Sequence, residues 1–226
     1  MNRAPQVKIL EQPARHQTCC SKQRYVFSPS IDGVHSRGQR KTFPVVQIRN
    51  WKGPLKIIVS CVTKDPPHYP HPFRLVGEEK CANGVYVELI PKGSGNKYVI
   101  LSDVGIESVT GTDVANSIGE RMYMNEDPFN TGFRYILPKN DQTMLRLCAH
   151  VYLQGTQKDS YDIALAPVVS KSIHIIGVKK KGRSFSTHSS SSSSEDEEPS
   201  FPQFAKIRVG LEDSSADLDL QRHRSI

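Results

Sequence analysis

Arg24 and Tyr25 stand side by side in a stretch, Cys19 to Phe43, that also carries Lys22, Arg37, Arg40 and Lys41. A guanidinium can donate to O6 and N7 of guanine together, and a neighbouring tyrosine can pack on a base or sugar. Lys22 reaches the same acceptors less selectively, and a lysine placed like Lys41 suits a phosphate. The chemistry on offer is recognition of a polyanion rather than catalysis. No Gly-x-Ser-x-Gly, Gly-rich phosphate loop or His-Glu-x-x-His occurs in the chain, so no enzyme is expected. His68 and His71 offer two nominal metal ligands, but the prolines around them preclude the helical spacing of a zincin and no Cys pair completes a four-ligand set. Neither a metal nor another cofactor is therefore expected.

The charge balance agrees. Residues 184–226 hold four Lys/Arg against eight Asp/Glu, so the overall +7 leaves residues 1–183 at +11. A field of that sign favours nucleic acid first and an acidic membrane surface second. The five cysteines are odd in number, irregularly spaced and include the adjacent Cys19-Cys20, a poor start for a disulfide framework, and they read as reduced. The N-terminus has no apolar leader, and no window approaches a membrane span; the protein is expected in the cytoplasm and nucleus.

The elements that must position the basic stretch read as an all-β domain. With 37% hydrophobic residues in 226, the chain can bury one ordinary core. Val7–Gln12 is a short strand stopped by Pro13, and the Cys19–Phe43 stretch, with Pro29, Gly33 and Gly38, is a long loop with a central turn. Val45–Arg49 and Leu55–Val62 are strands joined by a hairpin or corner; Ile57, Val59 and Cys61 share one face of the second. Val62–Gly77 contains four prolines and reads as a rigid extended connection that can be neither helix nor central strand. Phe73–Val76, Val85–Ile90, Tyr98–Leu101 and Val104–Ser108 follow with glycines between them, the punctuation of a sandwich. Thr112 or Asp113 is placed to cap one helix whose stripe is Val114, Ile118 and Met122. In Thr143–Leu153 the set Leu145/Leu147/Ala149/Val151/Leu153 should face the core, and the chain returns through Ile163–Ala166 to Ser172–Val178.

The proline stretch Val62–Gly77, the Asp127-Pro128-Phe129-Asn130 segment and the span from Leu145-Arg146-Leu147-Cys148 to Pro167-Val168-Val169-Ser170 resemble the N-terminal half of the Rel homology region. That region is the DNA-binding part of Rel/NF-kappa-B/Dorsal transcription factors. The resemblance runs over residues 5–178 and implies an immunoglobulin-like β-sandwich of the p53-like/Rel DNA-binding type, with one inserted helix near 112–124. It also implies that the loop after the first strand reads the major groove. Residues 1–4 would be a short N-terminal tail. The first strand ends in a matching Glu11-Gln12-Pro13. The family's recognition loop, Arg-x-Arg-Tyr-x-Cys-Glu-Gly, corresponds to Lys22-Gln23-Arg24-Tyr25-Val26-Phe27-Ser28-Pro29. Arg24 and Tyr25 are kept and Lys22 keeps a charge, whereas Phe27 and Ser28 replace the redox-sensitive thiol and the cytosine-directed carboxylate. Lys41-Thr42-Phe43-Pro44 resembles the family's Lys-Thr-x-Pro, which implies a phosphate contact for Lys41. Thr110-Gly111 stands where a DNA-touching Lys-Lys pair is common.

From Lys179 the composition changes. Lys179-Lys180-Lys181-Gly182-Arg183 is a basic cluster at the position of the family's interdomain linker, suited to a phosphate grip, a nuclear-import signal or a plain solvated linker. Six serines, Ser189–Ser194, precede Glu195-Asp196-Glu197-Glu198, so Ser192, Ser193 and Ser194 are candidate sites for acid-directed kinases, and a flexible spacer is the plain alternative. The composition of residues 179–226 predicts a disordered tail. It is too short and polar for the dimerisation domain that follows in the family, so the isolated chain is expected to be a monomer reading one kappa-B-like half-site in double-stranded DNA. The contact set is Lys22, Arg24, Tyr25, Ser28, Lys41, Lys179, Lys180 and Lys181. The alternative is a dominant-negative regulator that competes for an ankyrin-repeat inhibitor or for other Rel proteins without reading DNA.

Overall fold

The computed structural model describes residues 3–19, 30–133 and 142–176, all within the first of the chain's two compact units, residues 1–182. In chain order the strands are β1 (Gln6–Glu11), β2 (His16–Thr18), β3 (Val45–Arg49), β4 (Leu55–Thr63), β5 (Arg74–Val76), β6 (Cys81–Ala82), β7 (Val85–Ile90), β8 (Lys97–Ile100) and β9 (Gly105–Glu107). Helix α1 (Asp113–Tyr123) follows, then β10 (Met144–Leu153), β11 (Ile163–Ala164), β12 (Val168–Val169) and β13 (Ile173–Ile176). A three-stranded sheet β1-β3-β8 faces an eight-stranded sheet ordered β2-β13-β10-β4-β7-β6, with β11 and β12 also paired to β10. β5 and β9 form a separate antiparallel pair. β3 and β4 lie in different sheets, so the Asn50–Pro54 connection is the corner of the sandwich rather than a hairpin.

Side chains from both sheets fill one core. Ile48 of β3, Val99 of β8, Ile57, Val59 and Cys61 of β4, and Leu145, Leu147, Ala149 and Val151 of β10 belong to it. This is the face expected from period-two alternation. The opposite face of the two long central strands is not left to water, however: Ile58, Ser60, Val62, Cys148 and His150 are buried too. At the His150 end an acidic residue closes this face: Glu126, itself buried, receives the Tyr152 hydroxyl at 3.4 Å and lies 3.7 Å from His150 Nδ1.

α1 sits where the sequence places it, and two of the three expected stripe residues face inward: Ile118 is buried and Val114 packs against the core. Thr112 occupies the N-cap position without a side-chain capping bond. The buried residues are Ser117, Ile118 and Arg121, whereas Met122 is 62% exposed. Polar anchoring puts Arg121, one turn after Ile118, in the buried place expected for Met122. Ser117 Oγ donates to Pro72 O at 2.6 Å, Arg121 Nη2 donates to Phe73 O at 3.1 Å, and Arg74 makes a two-pronged pair with Glu120 at 2.8 and 2.9 Å.

The proline stretch also departs from a plain extended connection. After β4 it folds back on the strand: Thr63 N–H donates to Tyr69 O, His71 N–H donates to Cys61 O, both at 2.9 Å, and Pro70 bridges Val62. The peptide between Pro66 and Pro67 is cis. Missing N–H groups keep the stretch out of a sheet interior, yet its carbonyls and few remaining amides still pair locally. Asp127 forms the other matched motif by accepting from Thr131 N at 3.1 Å and Gly132 N at 2.6 Å. Phe129 then packs on His68 with ring centroids 5.1 Å apart, so the two most recognisable sequence motifs touch each other. His68 and His71 do not converge as ligands: His68 Nδ1 lies 2.9 Å from Thr63 O, and His71 Nδ1 accepts from Phe73 N.

Candidate nucleic-acid interface

The basic stretch is set up by the residues just before it. Each residue of Glu11-Gln12-Pro13 has a separate task. Glu11 Oε1 accepts from His35 N at 2.9 Å and from Thr42 Oγ1 at 3.0 Å, and its second oxygen pairs with His35 Nδ1 at 2.5 Å. Gln12 Oε1 accepts from Lys171 N at 2.9 Å, and Pro13 bridges Gly33. A Cβ on Gly33 would stand 2.5 Å from Glu11 Oε1 and 2.6 Å from Thr42 Oγ1, so any larger residue there would push the Glu11 and Thr42 side chains out of their bond. Within residues 30–44 the chain forms a hairpin. Arg37 and Arg40 exchange backbone bonds at 2.9 Å in both directions, and Gly38 supplies the left-handed residue with φ +53°.

The Glu11 carboxyl is held below its ordinary value. Burial pushes it up, but donation from the His35 amide, the His35 ring and Thr42 outweighs that push and favours the charged form. Because the folded value is the lower one, Glu11 contributes stability that is present above its ordinary pKa of 4.5 and is lost as pH falls through the folded value. Glu11→Gln should therefore cost roughly 1–2 kcal/mol at neutral pH and progressively less below pH ~4, as read by urea unfolding at several pH values. An equal cost at pH 7 and pH 3 would mean that the ionised form does not matter.

β2 and β13 fix where the basic segments leave the fold. They pair in parallel, with His16, Gln17 and Thr18 opposite His174, Ile175 and Ile176. The chain thus departs toward residues 20–29 and toward residues 177–181 from two adjacent strand ends in register. Gln17, one residue before the end of β2, turns its carboxamide inward and holds Asp32 on both sides: Nε2 donates to Asp32 O at 2.8 Å and Oε1 accepts from Asp32 N at 3.1 Å. The Asp32 carboxylate in turn receives Lys41 Nζ at 2.7 and 3.0 Å.

Of the residues expected to make contacts, Lys41 is the one whose position is described; it is exposed on the hairpin and paired with Asp32. Lys22, Arg24, Tyr25, Ser28, Lys179, Lys180, Lys181, Ser192, Ser193 and Ser194 lie outside the described residues, as do Phe27 and Cys20. Thr110 and Gly111 are exposed just before α1. Glu11, Gln17 and Asp32 are the residues around the basic stretch whose bonding sequence reasoning missed. Glu11 was visible only as a family letter, and no spacing links Gln17 to Asp32. The thiols of Cys19, Cys61, Cys81 and Cys148 are free, and burial pushes Cys61 up to about 12 and Cys81 to about 11, which leaves both poor nucleophiles. No group of three or more His, Cys, Asp or Glu among the described residues could hold a metal, and no helix among them is long and apolar enough to cross a membrane.

Comparison with known proteins gives a consistent answer. The family model of the Rel homology DNA-binding domain matches residues 7–175. The embryonic polarity protein dorsal of Drosophila melanogaster is 37% identical over 179 residues, covering 76% of this chain and 17% of that protein. Transcription factor p65 of Gallus gallus is 35% identical over 156 residues, covering 67% of this chain and 27% of that protein. The solved structure of the dorsal homologue Gambif1 bound to DNA superposes with a TM-score of 0.67 at 34% identity, over 74% of this chain and 97% of that one. The chain spans less than a third of the length of these two curated relatives.

Proposed function

This chain belongs to the Rel homology family, and on that premise we propose that it is a sequence-specific DNA-binding transcription factor of the Rel type, not an enzyme, that reads a kappa-B-like half-site in double-stranded DNA. The observation that carries the reading is the register of β2 with β13. It brings the exits toward Lys22–Ser28 and Lys179–Lys181 together, beside the hairpin that presents Lys41. Arg24 reads guanine with Tyr25 packed alongside. Lys22 and Ser28 complete the base-facing set, while Lys41 and Lys179–Lys181 hold phosphate. The domain is residues 5–178. Residues 179–226 are a tail whose Ser192, Ser193 and Ser194 accept phosphate from acid-directed kinases, and the protein divides between cytoplasm and nucleus.

Fluorescence anisotropy with a kappa-B-like duplex and a scrambled duplex of equal length tests this. The wild-type chain should prefer the kappa-B-like duplex at physiological salt, and equal affinity for the two would remove the sequence-specific reading. Lys41→Ala should weaken both duplexes by the same factor, about 2–5-fold, because a phosphate contact carries no sequence information. A loss confined to the kappa-B-like duplex would instead assign Lys41 to a base.

Two observations favour a second reading, a regulator that competes for an ankyrin-repeat inhibitor or other Rel proteins. Lys41 is already neutralised by Asp32, and uncharged Thr110-Gly111 occupies an exposed position beside α1. Retention of the chain by an immobilised ankyrin-repeat inhibitor, with no binding to either duplex, is the outcome that would select it.

A further inference from the structure

We propose that Asp32 is an internal phosphate competitor: its carboxylate holds Lys41 in the free domain and must be displaced before Lys41 can grip DNA. The proposal rests on the DNA-binding reading above and names a residue that sets its strength. The geometry is direct, with both Asp32 oxygens within 2.7–3.0 Å of Lys41 Nζ, the arrangement in which a phosphate would receive the same ammonium.

The pair is built into the fold rather than met by chance on a loose loop. Asp32 is clamped through its backbone by the buried Gln17 carboxamide and by Ala14 N–H, which donates to Asp32 O at 2.8 Å. Its neighbours are fixed as well: Ile31 N–H donates to Val104 O at 2.8 Å and Gly33 N–H to Thr42 O at 2.7 Å. On the other side, Thr42 next to Lys41 is held by Ser36 Oγ at 3.0 Å and by Glu11. Two rigid anchors thus hold an acid against a base on the outer surface of the hairpin.

The pair does little for stability. The two side chains are 54% and 33% exposed, and an ion pair so open to water contributes little to folding. Its consequence lies in binding. When phosphate takes Lys41, Asp32 is left beside a second anion and must recruit a cation, so net counterion release falls by about one relative to an unopposed lysine. Asp32 therefore lowers affinity for every duplex alike and flattens the salt dependence.

The test uses the full chain with the same two duplexes between 50 and 200 mM salt, comparing wild type, Asp32→Asn, Lys41→Ala and the double variant. Asp32→Asn should raise affinity for both duplexes about 3–10-fold at the lowest salt and steepen the slope of log affinity against log salt by up to about 0.9. In the Lys41→Ala background the same change should have less than about 2-fold effect. An equal gain in both backgrounds would reduce Asp32 to one more surface charge, and no gain in either would overturn the proposal while leaving the DNA-binding reading intact. Failure of every variant to bind any duplex would remove the DNA-binding reading and this inference with it; a silent wild type beside a binding Asp32→Asn would support both. Unchanged thermal unfolding of Asp32→Asn confirms that the difference is one of binding.

Discussion

Arg121→Ala should destabilise the domain by about 3–5 kcal/mol. Arg121 has 0% exposure and lies on the buried face of α1 with only Nη2 bonded, to Phe73 O at 3.1 Å. Its Nε and Nη1 have no hydrogen-bond partner among the described residues, and neither has Glu126 Oε1. Burial lowers the Arg121 pKa, while Cys61, Glu126 and Glu120 oppose that shift and Arg74 adds to it. The cost of taking this charge out of water, several kcal/mol, is offset in part by the nearby acids, which favour the charged form. Truncation to alanine removes the guanidinium and leaves Glu126, 1% exposed, with only His150 and the Tyr152 hydroxyl. It also removes one of the polar anchors of α1. The His71 imidazole nearby does not fill the gap, since burial first and the Arg121 charge second hold it down to about 3, and it stays neutral at any physiological pH. Urea unfolding followed by circular dichroism and by the single tryptophan, Trp51, measures the loss. A cost below about 1 kcal/mol would mean that the buried guanidinium is not needed. Arg121→Met combined with Glu126→Leu should recover most of the loss, because an apolar replacement of both partners leaves no charge stranded.

That buried cluster marks where the sequence stops being legible. The strands were readable because period two is enforced by the core: Leu145 to Leu153 alternates as it must when one face packs on β3 and β8. The family resemblance was readable because Pro66 to Pro72 and Asp127 to Asn130 make local structure from local residues. The last turn of α1 was not, because Ser117 and Arg121 displace Met122 through bonds to carbonyls of Pro72 and Phe73, residues far away in the chain, whereas Val114 and Ile118 face inward as their spacing says. Apolar spacing carries no information about a polar anchor of that kind. The interface divides the same way. The basic stretch announced itself by composition, and Lys41 by a four-residue match. Asp32 lies in a sequence context that suggests only a turn, and its partnership with Lys41 exists because Gln17 and Glu11 hold two separate segments in place. Net charge said that the domain attracts polyanions, but only the pairing says how much of that attraction is already spent.

Arg24→Ala should cost about 1–3 kcal/mol of guanine discrimination, in the lower half of that range because Phe27 and Ser28 replace the neighbours that complete the readout in the family. The physical basis is that one guanidinium donates to N7 and O6 in a plane fixed by the base pair, an arrangement unavailable to the other three bases in the major groove. The measurable form of the prediction is a ratio: the kappa-B-like duplex should lose roughly 5–30-fold in affinity while the scrambled duplex loses no more than a phosphate contact's share. Arg24→Lys separates charge from geometry. It keeps the attraction for DNA and so the scrambled affinity, but the lysine ammonium reaches O6 and N7 without the planar fork that fixes the guanidinium, so the preference should fall by a smaller factor than with alanine. Replacing the contacted guanine by 7-deazaguanine removes one acceptor from the DNA side. Wild type should then bind like Arg24→Lys, and the two proteins should no longer differ. If Arg24→Lys kept the full preference, or if 7-deazaguanine left wild type unchanged, Arg24 would be a phosphate residue and the specificity would have to come from the shape of the site rather than from its base edges.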